Sequence, residues 1–182
     1  MAIRSFEGKL PLMGEGTWVD PAAQLIGDVV LGRDCSVWPG AVIRGDMQRI
    51  GIGDRVSIQD NAVLHITHDS PFNPGGFALH LGDDVTVAHQ AMLHGCTIGC
   101  RVMIGMQAMV MDGALLEDDL ILAAGSLVPP GKTLASGYLY RGRPAVAVRP
   151  LTDEERRFLT YVAANYVRLK DRYLADQPDA AR

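Results

Sequence analysis

The 182-residue sequence predicts an all-β chain: a parallel β-helix of hexapeptide repeats, followed by one C-terminal α-helix. Two observations predict it. Aliphatic residues recur at every sixth position over most of the chain. The composition is rich in glycine (20 residues) and 48% hydrophobic, yet only 6% aromatic, which suits a narrow, regular interior. Six is neither the helical period nor the alternation of a simple strand. It describes a short strand and a turn, repeated. Three hexads closing on themselves make one triangular coil, and stacked coils bury what one coil cannot bury alone.

The repeat begins at Val19 and steps through Leu25, Leu31, Val37 and Ile43. It restarts at Ile52 (Ile58, Leu64), at Leu81 (Val87, Leu93) and at Ile98, from which it runs to Leu134, Tyr140 and Val146. The residue after the aliphatic one is often glycine, as at Gly32, Gly53, Gly82, Gly99 and Gly105. The fifth position is small or β-branched, as at Ala41, Val56, Ala62 and Val85. Three breaks interrupt the count. Three extra residues separate Ile43 from Ile52, the step from Leu64 to Leu81 is 17, and one residue is missing between Leu93 and Ile98. The second break contains HDSPFNPGGF, a polar segment with Pro and Gly that predicts a loop near 67–80. Insertions in a repeat protein map to one working face.

After residue 149 the pattern changes. Thr152 and Glu155 predict a capping box at the start of a helix over 150–176. Phe158, Val162, Tyr166, Leu169 and Tyr173 form its expected apolar stripe. Residues 177–182 are expected to be a flexible tail.

The net charge of -4 offers no basic field for nucleic acid or anionic lipid. No apolar run approaches the length of a membrane span, and the N-terminus lacks the apolar core of a signal segment. Three cysteines (Cys35, Cys96, Cys100) without such a signal are expected to be reduced thiols of a cytoplasmic protein.

Assigning hexads in rotation to three faces of the prism places the chemistry. If the 67–80 excursion costs no face, Leu64 and Leu93 share one face a coil apart. His65 and His94 then stack, with backbones about 4.8 Å apart. Two nitrogens on one tetrahedral zinc lie roughly 3.3 Å apart, given Zn–N of about 2.0–2.1 Å. Stacked imidazoles can converge to that. His89 sits across a corner and is not expected to reach the same ion within its own chain. A threefold assembly brings His89 of one chain to His65 and His94 of the next. The expectation is a homotrimer with a metal at each interface. Arg44 lies in register with His65 and His94, while Gln59 and Asp60 lie a coil away from Ala88 and His89. His68 and His80 flank the loop and are expected to be solvated.

The segments RGDM at 44–47, SIQDNAVLH at 57–65, AHQAMLHG at 88–95, IGMQAMV at 104–110 and SGYLYRGRPA at 136–145 together resemble the γ-class carbonic anhydrase-like family. The resemblance implies a left-handed β-helical trimer with Zn2+ (alternatively Fe2+ or Co2+) held by three histidines across each interface. Carried over, His65 and His94 come from one subunit and His89 from the next. Arg44 and Asp46 resemble an inter-subunit ion pair, Gln59 the residue that orients the attacking water or hydroxide, and Asp60 its neighbour. Tyr138 is similar to a tyrosine placed over the site. The implied reaction is hydration of CO2 to bicarbonate. The sequence departs from the most active members at Met47, where a glutamate is expected, and in the loop, which has Asp69 but no glutamate. His68 could move protons in its place. Two alternatives share the fold: a metal-dependent acyl-CoA thioesterase, and a hexapeptide-repeat acyltransferase using one histidine as base.

Overall fold

The computed structural model describes residues 3–176, so the tail expected at 177–182 lies outside the described residues. The chain is a parallel β-helix capped by a hairpin and buttressed by one helix, α1 (Asp153–Asp176). Two sheets make up its three faces. Twelve strands carry two faces, joined because the strands Gln24–Leu31 and Val42–Ile52 bend round the corner between them. Eight strands carry the third.

The register follows the hexads. On face A, Ile43 pairs with Leu64, Leu64 with Leu93, and Met92 with Met109. On face B, Ile52 pairs with Leu81 and Leu81 with Ile98. On face C, Ile58 pairs with Val87 and Val87 with Ile104. The 67–80 excursion therefore leaves the count of faces intact. The hexad aliphatics form one continuous buried core, joined at the corners by the small fifth-position residues. The second-position glycines are required by close stacking. A Cβ at Gly32 would lie 2.6 Å from the backbone of Gly53, and one at Gly53 would lie 2.7 Å from that of Gly82.

The corners need a left-handed backbone, and several are filled by residues other than glycine: Asp34, Arg55, Asp84, Arg101 and Asp119 all have φ between 53° and 58°. That conformation is unfavourable for a residue with a Cβ. Side chains projecting from these corners compensate by bonding to the next coil. Arg55 donates to both oxygens of Asp84 at 2.7 and 2.9 Å, and Arg101 does the same to Asp119 at 2.7 and 2.8 Å.

Helix α1 starts where Thr152 and Glu155 cap one another. Thr152 N–H donates to Glu155 at 2.9 Å, and Glu155 N–H donates to the Thr152 hydroxyl at 3.2 Å. A bidentate bond from Arg149, with the Thr152 amide second, holds the Glu155 carboxyl down at about 2. The buried stripe differs from the expected one. Leu159, Ala163 and Lys170 are buried, whereas Phe158 and Tyr173 are 42% and 39% exposed. Tyr166 and Tyr173 still stack on Trp38, and Tyr173 also on Trp18. The helix is apolar over an arc wider than the face it covers, so periodicity alone places the contact one residue out.

Charge fixes the register of the helix. Lys170 is buried, and its ammonium donates to Asp34 at 2.8 Å and to Asp171. Near the other end, Arg156 packs over the corner at Gly137. Fourteen helical residues advance about 21 Å, close to the roughly 24 Å of five stacked coils from Asp34 to Gly137. The repeat itself ends at Tyr140. Val146, counted above as a further hexad, lies instead on Ala145–Pro150, which turns back antiparallel against Tyr138–Gly142, and it is exposed. No helix among the described residues is long and apolar enough to cross a membrane.

Removing the charge at Asp34 leaves Lys170 with only one anionic partner. Asp34→Asn keeps a residue that tolerates the left-handed corner. It should lower stability by about 1–2 kcal/mol in urea unfolding. An unchanged midpoint would mean that this pair does not anchor the helix.

Candidate metal centre

All three breaks in the repeat fall at the same corner, where face A turns into face B. The three extra residues after Ile43 make a bulge. Gly27 still pairs with Gly45, but Val29 pairs with Ile50, so Asp46 to Arg49 swing outward. The 67–80 excursion leaves this corner one coil on, just after His65. The missing residue shortens it at Gly95, just after His94, where φ is +51°. The irregular corner therefore carries Asp46, His65 and His94 on successive coils.

His65 and His94 are paired in register. His65 Nδ1 faces His94 Nε2 at 3.1 Å, with the rings tilted by 59°. Each outer nitrogen has a carboxylate: His65 Nε2 lies 3.1 Å from Asp46 Oδ1, and His94 Nδ1 lies 2.7 Å from Asp112 Oδ1. Arg44 donates to the other oxygen of Asp46. The result is one chain of contacts, from Arg44 through Asp46, His65 and His94 to Asp112. Arg44 and Asp46, expected as a pair between subunits, pair within one chain here.

The electrostatics at His65 favour the neutral imidazole. Burial lowers the pKa of His65; the Arg44 charge and His94 act in the same direction, and Asp46 opposes them. Burial works against ionised Asp46, yet the bonds from His65 and Arg44 outweigh it and hold its carboxyl below the ordinary value. With each outer nitrogen donating to its carboxylate, the tautomers follow from those partners. The two inner nitrogens then present lone pairs to each other across 3.1 Å. Facing lone pairs repel at this distance unless a cation lies between them. The separation is close to the roughly 3.3 Å of two ligands on one tetrahedral zinc. The donor set fits a borderline divalent metal.

His89 is not part of this cluster. It follows Val87, across the corner between faces C and A, and its side chain is 47% exposed against 13% for His65. It has its own carboxylate, Asp60 Oδ2, at 2.8 Å from Nδ1. Among the described residues of one chain, no three His, Cys, Asp or Glu side chains converge to hold a metal. A single chain thus carries two nitrogens at one corner and one at another. Gln59, beside Asp60, is 3% exposed. His68 and His80 are exposed. Tyr138, carried over as a residue above the site, does not join it within the chain. It lies on the corner between faces B and C, three coils beyond His89, about 14 Å along the axis.

Sequence reasoning missed two members. Asp112 was legible: it is the third residue of the hexad starting at Val110, one coil past Leu93, and carrying the columns one step further reaches it. Thr67 donates to Asp112, with its hydroxyl 3.1 Å from each carboxylate oxygen. It opens the excursion, where the repeat gives no register to count from.

Comparison with known proteins agrees with this architecture. Residues 11–45 match the bacterial transferase hexapeptide family (six repeats). The chain is 51% identical over 172 residues to protein YrdA of Escherichia coli K12, covering 94% of each chain. It is 40% identical to gamma carbonic anhydrase 2, mitochondrial, of Arabidopsis thaliana, over 88% of this chain and 58% of that relative. The crystal structure of a hexapeptide transferase family protein from Anaplasma phagocytophilum superposes with a TM-score of 0.86 at 38% identity, covering 95% of this chain and 98% of that one. The chain belongs to the γ-class carbonic anhydrase-like family of hexapeptide-repeat β-helix proteins.

Proposed function

We propose that the protein is a homotrimeric, metal-dependent enzyme of the γ-carbonic anhydrase type that hydrates CO2 to bicarbonate. The observation that carries the reading is the pair of inner nitrogens of His65 and His94, facing each other at 3.1 Å with both outer nitrogens held by carboxylates. His89, open to solvent and braced by Asp60, supplies the third nitrogen to a neighbouring chain. Such a contact joins unlike patches, and closing it by rotation gives a ring. A Zn2+ ion (alternatively Fe2+ or Co2+) held by three neutral nitrogens would supply the Lewis acidity that makes water acidic near neutral pH.

The remaining roles belong to the chain. Asp46, itself held by Arg44, accepts from the outer nitrogen of His65 and keeps its inner nitrogen aimed inward. Asp60 does the same for His89. The Gln59 amide orients the reacting water. Met47 lies half-exposed where a glutamate would accept protons, so proton removal falls to solvent-exposed groups such as His68. The three cysteines are free thiols, two of them buried, in keeping with a reducing, cytoplasmic setting.

A second reading has one observation in its favour. On the single chain an open hollow runs from His89 past Met106 to Gly125. Acyl-CoA thioester hydrolysis at the same centre would use it.

Three measurements test the proposal. Purified protein should hold about one zinc per chain at tetrahedral nitrogen sites, with the trimer as its solution state. His89→Ala should lose both metal and trimer stability, and full metal occupancy in that variant would contradict the shared site. CO2 hydration, assayed with zinc and with iron under anaerobic conditions, should exceed the metal-free protein; thioester cleavage without CO2 hydration would select the second reading. Because His65 has a depressed pKa, its neutral form persists below pH 6.5 in the fold while an unfolded chain takes up the proton. Stability of the metal-free protein should therefore fall as pH drops from about 6.5, and not rise.

A further inference from the structure

We propose that Asp112, held by Thr67, is the positioning residue for His94, and that the base of the 67–77 excursion serves to hold that carboxylate. The inference rests on the metal reading above. Three observations carry it. First, the Asp112 carboxylate is engaged on both sides: His94 Nδ1 lies 2.7 Å from Oδ1, and the Thr67 hydroxyl shares its proton between both oxygens at 3.1 Å. The carboxylate cannot rotate without losing one of these partners.

Second, the base of the excursion is built to place that hydroxyl. Thr67 and Phe77 exchange backbone hydrogen bonds at 3.1 and 2.8 Å, closing the loop directly behind His65. Phe77 lies over two glycine corners. A Cβ added at Gly95 would come within 2.7 Å of the Phe77 Cβ, and one at Gly113 within 3.0 Å of its ring. Gly113 N–H in turn donates to Gly95 at 2.7 Å. The turns that carry His94 and Asp112 are thereby clamped under the loop base.

Third, space at the pair is filled. A Cβ at Gly95 would meet Asp112 Oδ1 at 2.3 Å, so the residue after His94 must be glycine for the carboxylate to reach the ring. The loop tip makes no comparable contact: Phe72 is 91% exposed.

An anionic acceptor on Nδ1 fixes the tautomer, points the Nε2 lone pair inward and raises its basicity as a ligand. Thr67 touches no ligand nitrogen, yet it sets the carboxylate that does. Zinc affinity, measured on the full chain by competition with a chromophoric chelator, tests this. Asp112→Asn and Thr67→Val should each weaken zinc binding about 10- to 100-fold. Thr67→Ser, which restores the hydroxyl, and Phe72→Ala at the tip should both bind like wild type. In cobalt-substituted protein the visible ligand-field band of Asp112→Asn should shift, a readout that a purely structural role would not move. Wild-type affinity in both Asp112→Asn and Thr67→Val would overturn the inference, as would a loss in Phe72→Ala equal to theirs. If Thr67→Val does not fold, Asp112→Asn against Thr67→Ser decides the question. Wild-type protein that takes up no zinc would instead remove the metal reading itself.

Discussion

Backbone pairing between successive coils is the constraint on which the rest depends. Parallel strands hold neighbouring coils about 4.8 Å apart, and the pleat keeps each side-chain column on one face. Leu64 on Leu93 is a core contact, buried on both sides. The same pairing sets His65 beside His94. A slip of one residue would send both leucines outward and both histidines inward, so the hydrophobic core enforces the geometry of the polar pair. The site costs the fold little, because its positions are the outward ones.

What the regular lattice cannot supply, the irregular corner does. The regular lattice braces His89 with Asp60, one coil away on the same column, but the outer partners of His65 and His94 depend on the irregular corner. The bulge after Ile43 frees Asp46 to meet His65. The excursion after His65 brings Thr67 under Asp112, and the shortened turn at Gly95 lets Asp112 meet His94. Two of the three departures thus deliver a second partner to a ring and the excursion steadies one of those partners; a histidine with both nitrogens engaged is fixed in tautomer and direction.

Much of this was legible in the sequence. The hexad count gave the faces through Leu93, and the structure pairs them as counted. The capping box at Thr152 was legible because it is local. Contacts made between one element and another were less so. The buried stripe of α1 begins at Leu159 and not at Phe158, because the wall it packs on selects among several apolar residues. The anchor at Lys170 was invisible, since a lysine on a helix is ordinarily solvated and its partner Asp34 is 136 positions away. Asp112 could have been found by counting one coil further. Thr67 could not, because the excursion interrupts the count.

The central claim is that two half-sites of different chains make one metal centre, and subunit complementation tests it most directly. His89→Ala retains the His65–His94 pair, and His94→Ala retains His89. Neither variant alone should hold zinc tightly. Unfolded together and reassembled, they should recover about one quarter of the wild-type sites, each at a contact that takes its intact halves from different chains. Recovery of none, with mixed trimers demonstrably formed, would contradict the account.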